Sequence, residues 1–424
     1  MTPSRTYWDQ AEILPLSKLQ KNQLSAINAV LARARKQSTF YKGKIRSTRI
    51  DSLSQISNLP LTRKDDLRKA SLWDTVVVKR EDIAEYHASS GTTERPYIMA
   101  MTKRDIKVSN DTLARTWYMH GVRKGHLIQM MVSYGLFTAG LLNQYAIQRI
   151  GANIVPAGAV NSEQQISLMK KLVPDFLVAV SSHFLRLISF AESHDYKLPK
   201  FRGLIGGGVP VSSQDRTWIQ TKLRSPFFNQ YGLAEINTGL AGECEYHDGL
   251  HIQSDYAYPE IIDPQSEEPL TEGEEGVLVL TALKRDGQLL IRYVTNDITS
   301  LNFSPCRCGR TLPRLSPIKG RVDDTIFVKG MKLDTAYLAS LLGELSPRNS
   351  GTNWRLTISR THGRDHLKLA INLPAELDAE YVKQFLQEKL SLTIDEVDVQ
   401  NKTLPEDEHK PKHILDLRKL EALC

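Results

Sequence analysis

Cysteine is scarce in this 424-residue chain. There are four, Cys244, Cys306, Cys308 and Cys424, and so few in so long a chain exclude a fold built on disulfides. A reducing cytoplasm is the expected location. No stretch approaches the roughly 18 consecutive apolar residues of a membrane span. The opening "MTPSRTYWDQAEILPLSK" also lacks the unbroken apolar core of a secretory signal, so no membrane partner is expected. Charge of one sign is not massed anywhere. The net charge of +7 is spread along the chain, which argues against a nucleic-acid partner and mildly favours small anions such as nucleotides. Repeats and low-complexity tracts are absent too. What is left, 41% hydrophobic and 24% charged, is the composition of a globular protein long enough for two or three domains.

Periodicity divides the chain. Leu24, Ile27, Val30, Leu31 and Ala34 recur at helical spacing, with Ser17 and Gln20 spaced as a capping box. A second helix is expected to start at Thr62, with Asp65 and Asp66 in its first turn. From about residue 125, strand-like and helical segments alternate: "LIQMMVSY", "TAGLLNQYAIQRIG", "NIVPAG", "SEQQISLMKKLV", "FLVAVSS", "FLRLISFAESHD" and "LIGGGVP". Such alternation predicts an α/β fold, a layered sheet with helices on its faces. After Gly232 the pattern turns β-rich, with "GVLVLTAL" and "QLLIRYV" on either side of a turn at Asp286-Gly287. Beyond Arg321 comes a smaller α+β piece with strand candidates "NWRLTISR" and "HLKLAINLP" and the helix "DAEYVKQFLQEKL". The expected domains are therefore 1–320 and 321–424.

The chemistry-bearing stretches are dispersed. "SSGTT" packs Ser89, Ser90, Gly91, Thr92 and Thr93 into a donor-rich loop in which a glycine allows close backbone approach to an anion. It is no Walker loop, because the Gly-Lys-Ser/Thr ending is missing. "NQYGLAE" places Tyr231, Gly232 and Glu235 at a strand end; "YVTNDI" places Asp297 at another; "KGRVDDTIFVKG" sets Arg321 beside Asp323 and Asp324. An aromatic for a base, acids for ribose and magnesium, and an arginine are what a nucleotide site needs. Each stretch alone would equally suit a surface turn. Cys306 and Cys308 form a C-x-C pair, while Cys244 lies in "ECEYHDGLHI" with His247 and His251, a donor set suited to tetrahedral zinc.

In order and spacing these stretches resemble the adenylate-forming superfamily, and within it the phenylacetate–CoA ligase family. The resemblance runs from "YWDQAEILPLSKLQ" and "STFYKGKI" through "LPLTRKDDLR", "SSGTT", "YGLFTAGL", "YGLAE" and "CRCGRT" to "IKGRVDDTIFVKG". It implies a large AMP-binding domain followed by a small mobile domain that rotates about Asp323. It also implies ATP-dependent activation of a carboxylic acid, with magnesium, and transfer of the acyl group to coenzyme A. By resemblance, Ser89 to Thr93 grip the β and γ phosphates, Tyr231 lies on adenine, Glu235 holds magnesium, and Asp297 and Arg321 bind the ribose hydroxyls. The C-terminal "HKPKHILD" aligns Lys410 with the family's catalytic lysine, and Lys412 is its rival. "ECEYHDGLHI" points to Cys244, His251, Cys306 and Cys308 as a structural zinc set, with His247 as the alternative fourth ligand. Tyr134, Phe137, Ala139, Gly207 and Gly208 are acyl-pocket candidates whose aromatic and glycine-rich character suits a flat aromatic acid, or plain core packing. Homodimers occur in the family, which makes a second copy of the chain a partner to consider.

The chain departs from the family pattern at Glu94-Arg95, where the loop has Gly-Lys, at Ala234, where "YGLTE" has threonine, and at Asn296, where "TGD" has glycine. None of these removes Glu235, Asp297, Arg321 or Lys410. Two alternatives stay open at this point. The acyl group or AMP could pass to an amine or a cofactor, or the chain could be an inactive binding relative.

Overall fold

A computed structural model describes residues 6–89, 97–136, 138–236, 239–322, 325–329, 331–345, 354–361, 364–373, 377–390, 392–400 and 413–418. The chain divides into two compact units, Met1–Lys319 and Gly320–Cys424. Among the described residues no helix is long and apolar enough to cross a membrane.

A nine-stranded sheet organises the first unit. Five of its strands run parallel, in the spatial order Phe227–Tyr231, Gly203–Gly207, Phe176–Ala179, Leu127–Met130, Asn153–Val155. Parallel neighbours need crossovers, and the helices Thr138–Ile150, Ser162–Leu172, Ser181–Ser193 and Ser213–Leu223 lie between them in the chain. This is the layered α/β architecture that the alternating segments predict. Strand residues pointing one way (Ile128, Met130, Phe176, Val178, Ile205, Phe228) pack with Trp117, Leu142 and Ile147. Those pointing the other way (Leu177, Ala179, Leu204, Phe227) pack with Ile166, Phe184, Ile188 and Ile219. Burial on both faces explains the near-continuous apolar runs in the sequence. The short antiparallel strands Ala241–Glu243, Leu250–Ile252, Arg314–Leu315 and Leu301–Asn302 extend the sheet beyond Phe227–Tyr231. Ala257–Ile262, Gly276–Ala282 and Tyr293–Thr299 form a separate antiparallel set.

Several local expectations need correction. The first long helix is Leu16–Gln37 with Pro15 at its N-cap, so Ser17 lies inside the helix and is no cap. The helix expected from Thr62 is Lys64–Lys69, starting later, and a short helix Thr39–Lys42 precedes it. Thr62 instead pairs with Tyr293, because its backbone serves as an extra strand rung beside Tyr293–Thr299. Of "QLLIRYV", only its end is strand; Gln288 makes an isolated bridge to Val76. Asp286 and Gly287 do turn the chain there, both N–H groups donating to the Asp105 carboxylate.

In the second unit, Trp354–Thr361 and Arg364–Asn372 form a hairpin, flanked in parallel by Ile414–Asp416 and Glu396–Gln400. Helices Thr335–Glu344 and Ala379–Leu390 add Leu338, Leu342, Val382 and Leu386 to its core.

His120 sits in the first unit's core against Phe228 and Trp117. Neither ring nitrogen has a hydrogen-bond partner among the described residues. Burial pushes its pKa down to about 3. The unfolded chain takes up this proton near 6.5 and the folded chain only far below, so stability falls as pH drops through 6.5. From this group alone the loss should be about 2 kcal/mol at pH 5. Urea unfolding at pH 7 and pH 5 checks it. His120→Leu should flatten that part of the slope, and an unchanged slope would contradict the assignment.

Candidate active site and cysteine–histidine centre

In a parallel sheet every strand delivers its following loop to the same edge. The carboxyl edge here receives Tyr134 after Leu127–Met130, Gly207 and Gly208 after residue 206, and Tyr231, Gly232 and Glu235 after Phe227–Tyr231. Gly208 has φ +82 and so needs glycine's freedom there. The Tyr134 hydroxyl is buried without a hydrogen-bond partner among the described residues, and burial pushes its pKa up to about 12. Its ring can sit low because Gly140 lacks a Cβ, which would meet the Ser133 carbonyl at 2.6 Å. Ala139, half-buried, is on the first turn of Thr138–Ile150.

Tyr231 is buried, and its hydroxyl donates to Asp297 Oδ2 at 2.5 Å, which joins the sheet edge to the strand Tyr293–Thr299. A bulge in the strand Tyr293–Thr299, just before Asp297, bears on one departure from the family pattern. Asn296 has φ +66, and the Asp297 N–H donates to Thr295 Oγ1 at 3.0 Å. After glycine, asparagine is among the residues that best tolerate this left-handed region. The bulge thus presents the acid with a left-handed residue where the family pattern has glycine.

Glu235 lies on the short 3-10 turn Ala234–Ile236 and is buried. Its carboxylate Oε1 is 2.8 Å from Lys64 Nζ, and its main-chain carbonyl accepts from Arg285 Nη1. Ser89 is buried at the mouth of the hydroxyl-rich loop. Its N–H donates to the Tyr97 carbonyl at 3.0 Å, and the Tyr97 N–H donates to Ser89 Oγ at 3.3 Å. Ser90, Gly91, Thr92, Thr93, Glu94, Arg95, Phe137, Asp323, Lys410 and Lys412 lie outside the described residues. Arg321 is half-buried on the strand Gly320–Arg321 at the start of the second unit. Sequence reasoning assigned no role to Lys64, Tyr97 or Arg285. Lys64 did stand in a quoted family stretch, and a cation three residues before an apolar helix position was the available signal.

The cysteines and His251 converge. The ligand atoms of Cys244, His251, Cys306 and Cys308 all lie within 4.8 Å of one another, and all four residues are buried. Cys244 Sγ is 3.8 Å from Cys306 Sγ, and Cys308 Sγ is 3.4 Å from His251 Nε2. Tetrahedral zinc with arms of about 2.3 Å separates its ligand atoms by about 3.8 Å, so the donor set fits. His251 Nδ1 faces the Leu312 carbonyl at 3.3 Å, which leaves Nε2 for the centre. His247 is engaged elsewhere: its Nδ1 lies 3.0 Å from both Glu243 Oε2 and Arg216 Nη2. The knuckle turns at Gly309, φ +81, where a Cβ would strike the Tyr7 hydroxyl at 2.3 Å. Tyr7 donates to the Cys308 carbonyl, and Arg310 Nε donates to Glu12 Oε2 at 2.6 Å, so the N-terminal segment straps the knuckle down.

A parallel α/β sheet carrying aromatic, acidic and glycine turns on its carboxyl edge is the class of scaffold that binds ligands at that edge. Residues 23–282 match the family described as AMP-binding enzyme. Phenylacetate-coenzyme A ligases of Thermus thermophilus and Escherichia coli are 31% and 30% identical to the chain, over 92% of it in both cases and over 89% and 87% of their own lengths. Among solved structures, 2-hydroxyisobutyryl-CoA ligase in the postadenylation state with 2-HIB-AMP matches with a TM-score of 0.85 at 22% identity, covering 100% of this chain and 95% of that one. An anthranilate CoA ligase with anthranoyl-AMP matches with a TM-score of 0.59 at 14% identity, over 82% and 68%. The structural likenesses speak for the fold; the sequence matches establish the family. The chain belongs to the AMP-binding enzyme family, as an AMP-forming acid–CoA ligase of the phenylacetate–coenzyme A ligase type. It activates a carboxylic acid with ATP and passes the acyl group to coenzyme A.

The strap supplies a stability prediction. Glu12 and Arg310 are both buried, so Arg310→Met leaves an uncompensated carboxylate and should cost about 3–5 kcal/mol. Urea unfolding measures it. A cost near zero would show that the strap does not hold the knuckle.

Proposed function

We propose that the acid is an aryl or arylacetic acid and that the residues at the sheet's carboxyl edge carry the reaction. The supporting observation is the likeness, over 92% of this chain, to phenylacetate-coenzyme A ligases. A carboxylate is a poor electrophile, so one of its oxygens first attacks the α-phosphorus of ATP, and the bond to pyrophosphate breaks. A thiolate of coenzyme A then attacks the acyl carbon, and AMP leaves with the electron pair of the broken C–O bond.

Roles follow from placement and resemblance. Ser89 opens the loop assigned, with Ser90, Gly91, Thr92 and Thr93, to the β and γ phosphates. Tyr231 and Gly232 are assigned to adenine, Asp297 and Arg321 to the ribose hydroxyls. Tyr134, Phe137, Ala139, Gly207 and Gly208 are assigned to the acyl group, and the unpartnered Tyr134 hydroxyl gives that pocket a polar point. Glu235 fits magnesium because its buried carboxylate already faces a cation. Bound there, magnesium would offset the charge on the departing phosphates. Lys410, with Lys412 as its rival, is assigned to the α-phosphate, and Asp323 to the hinge. A reducing cytoplasm suits Cys244, Cys306 and Cys308, which form no disulfide.

The test is ATP–pyrophosphate exchange with a panel of aryl and alkyl acids, followed by mass spectrometry of the coenzyme A products. Exchange only with short alkyl acids would overturn the aryl reading. Lys410→Ala should lower exchange about 100- to 1000-fold, by analogy with loss of one transition-state donor. It should spare thioester formation from supplied acyl-adenylate. Normal exchange in Lys410→Ala, with loss in Lys412→Ala, would transfer the role to Lys412.

Zinc held by Cys244, His251, Cys306 and Cys308 has four protein ligands and no open position, which makes it structural. Protein purified without chelator should contain about one zinc per chain, and Cys306→Ser should lose both the metal and thermal stability. Zinc well below one per chain would refute the centre.

A further inference from the structure

The stretch "LPLTRKDDLR", Leu59 to Arg68, has no task in the reaction so far, yet it is fastened to the site more firmly than a surface segment needs. Thr62 is buried. Its N–H donates to the Arg292 carbonyl at 2.8 Å, its carbonyl accepts from Val294 at 2.9 Å, and its hydroxyl donates to the Ile291 carbonyl at 2.6 Å. Arg292 Nη1 in turn donates to the carbonyls of Ser57 and Leu59. Leu67 of the following helix packs in the cluster that holds Tyr97, Tyr231 and Ile236. These contacts deliver one charged group to the site: Lys64 Nζ, 2.8 Å from Glu235 Oε1.

The pair is asymmetric. The Glu235 side chain is 5% exposed, whereas that of Lys64 keeps 27%. Glu235 is the more enclosed partner, on a tight turn whose backbone carbonyl is held by buried Arg285. Lysine is a point charge on a flexible stem and can turn. A divalent cation arriving at Oε1 repels the ammonium from that oxygen. The anion that arrives with it is a triphosphate. Ser89, the described residue of the hydroxyl-rich stretch, is hydrogen-bonded to Tyr97, and Tyr97 shares its cluster with Leu67, one helical turn from Lys64.

We propose that Lys64 is a polyphosphate-binding residue. Without nucleotide it is the counter-ion of Glu235; with ATP it exchanges that carboxylate for the terminal phosphates. This rests on the reading of Glu235 as the magnesium-side carboxylate.

The experiment compares ATP and AMP binding to the full chain by calorimetry, with magnesium present. Lys64→Met keeps the stem and removes the charge. It should weaken ATP about 10- to 100-fold, the usual range for a lost charge-assisted hydrogen bond, and change AMP little. Lys64→Arg should recover part of the loss. An unchanged ratio of ATP to AMP affinity in Lys64→Met would overturn the proposal, since a merely structural lysine would move both ligands together. Lys64→Gln gives the same readout should Lys64→Met not fold. Glu235→Gln, titrated with ATP with and without magnesium, tests the underlying reading separately. It should abolish magnesium's enhancement of binding. Enhancement that survives would overturn the exchange at Oε1, while the ATP-to-AMP ratio alone decides the phosphate contact.

Discussion

Parallel pairing of five strands is the constraint on which the first unit depends. Parallel strands cannot be joined by tight turns, so each hands the chain to a helix, and the helices bury both faces of the sheet. Two consequences follow. The strands are largely apolar, as Phe176–Ala179 is, and a buried polar residue such as Gln129 is hydrogen-bonded to Gln165. The polar turns of the sheet must also gather at its two edges, and the carboxyl edge collects Tyr134, Gly207, Gly208, Tyr231 and Glu235 from segments a hundred residues apart. The candidate site is thus a product of topology. No local stretch contains it.

Buried ion pairs then decide how the remaining chain attaches to that sheet. Arg115 meets Asp255 and Asp9; Arg310 meets Glu12; Arg292 meets Glu260 while also holding the carbonyls of Ser57 and Leu59. Each pair joins separate segments of the chain, and two of the four, Arg115–Asp9 and Arg310–Glu12, fasten the N-terminal segment. Such pairs add little net stability over apolar packing, but losing one partner strands a charge in the interior. They therefore act as registration points. A segment that docks one residue out of place leaves its charge unanswered. Lys64 belongs to this pattern with one difference: it keeps 27% exposure while its partner Glu235 keeps 5%.

How far the sequence disclosed this depends on the range of the interaction involved. Alternating helix and strand from residue 125 was legible because burial on two faces writes itself into consecutive residues. The Ser17 cap and the Thr62 helix start failed for opposite reasons. Pro15, with φ already near the helical value, began the first helix earlier. Thr62 was claimed by a backbone rung to Tyr293, 231 positions away, and nothing local announces such a partner. The cysteine–histidine centre was legible as a donor set. Choosing between His247 and His251 needed the hairpin register that faces His251 inward and the Glu243–Arg216 pair that occupies His247. Lys64 and Arg285 were given no role because a single basic residue shows no pattern until its distant partner, the Glu235 carboxylate or the Glu235 carbonyl, is placed beside it.

The bulge at Asn296 shows what presenting the acid asks of the chain. Asparagine stands where the family pattern has glycine, with φ +66 and the Asp297 N–H donating to Thr295 Oγ1. The requirement is a left-handed residue flanked by a buried hydroxyl, and glycine is one way to meet it. Ala234 follows the same logic from the other side. A threonine hydroxyl is gone, but Ala234 still opens the 3-10 turn that carries Glu235, whose placement is set by Arg285 on its carbonyl and Lys64 on its carboxylate. At both positions the placement of the acid is carried by backbone, a left-handed residue before Asp297 and a 3-10 turn under Glu235, so a change of side chain there leaves the acid's support in place.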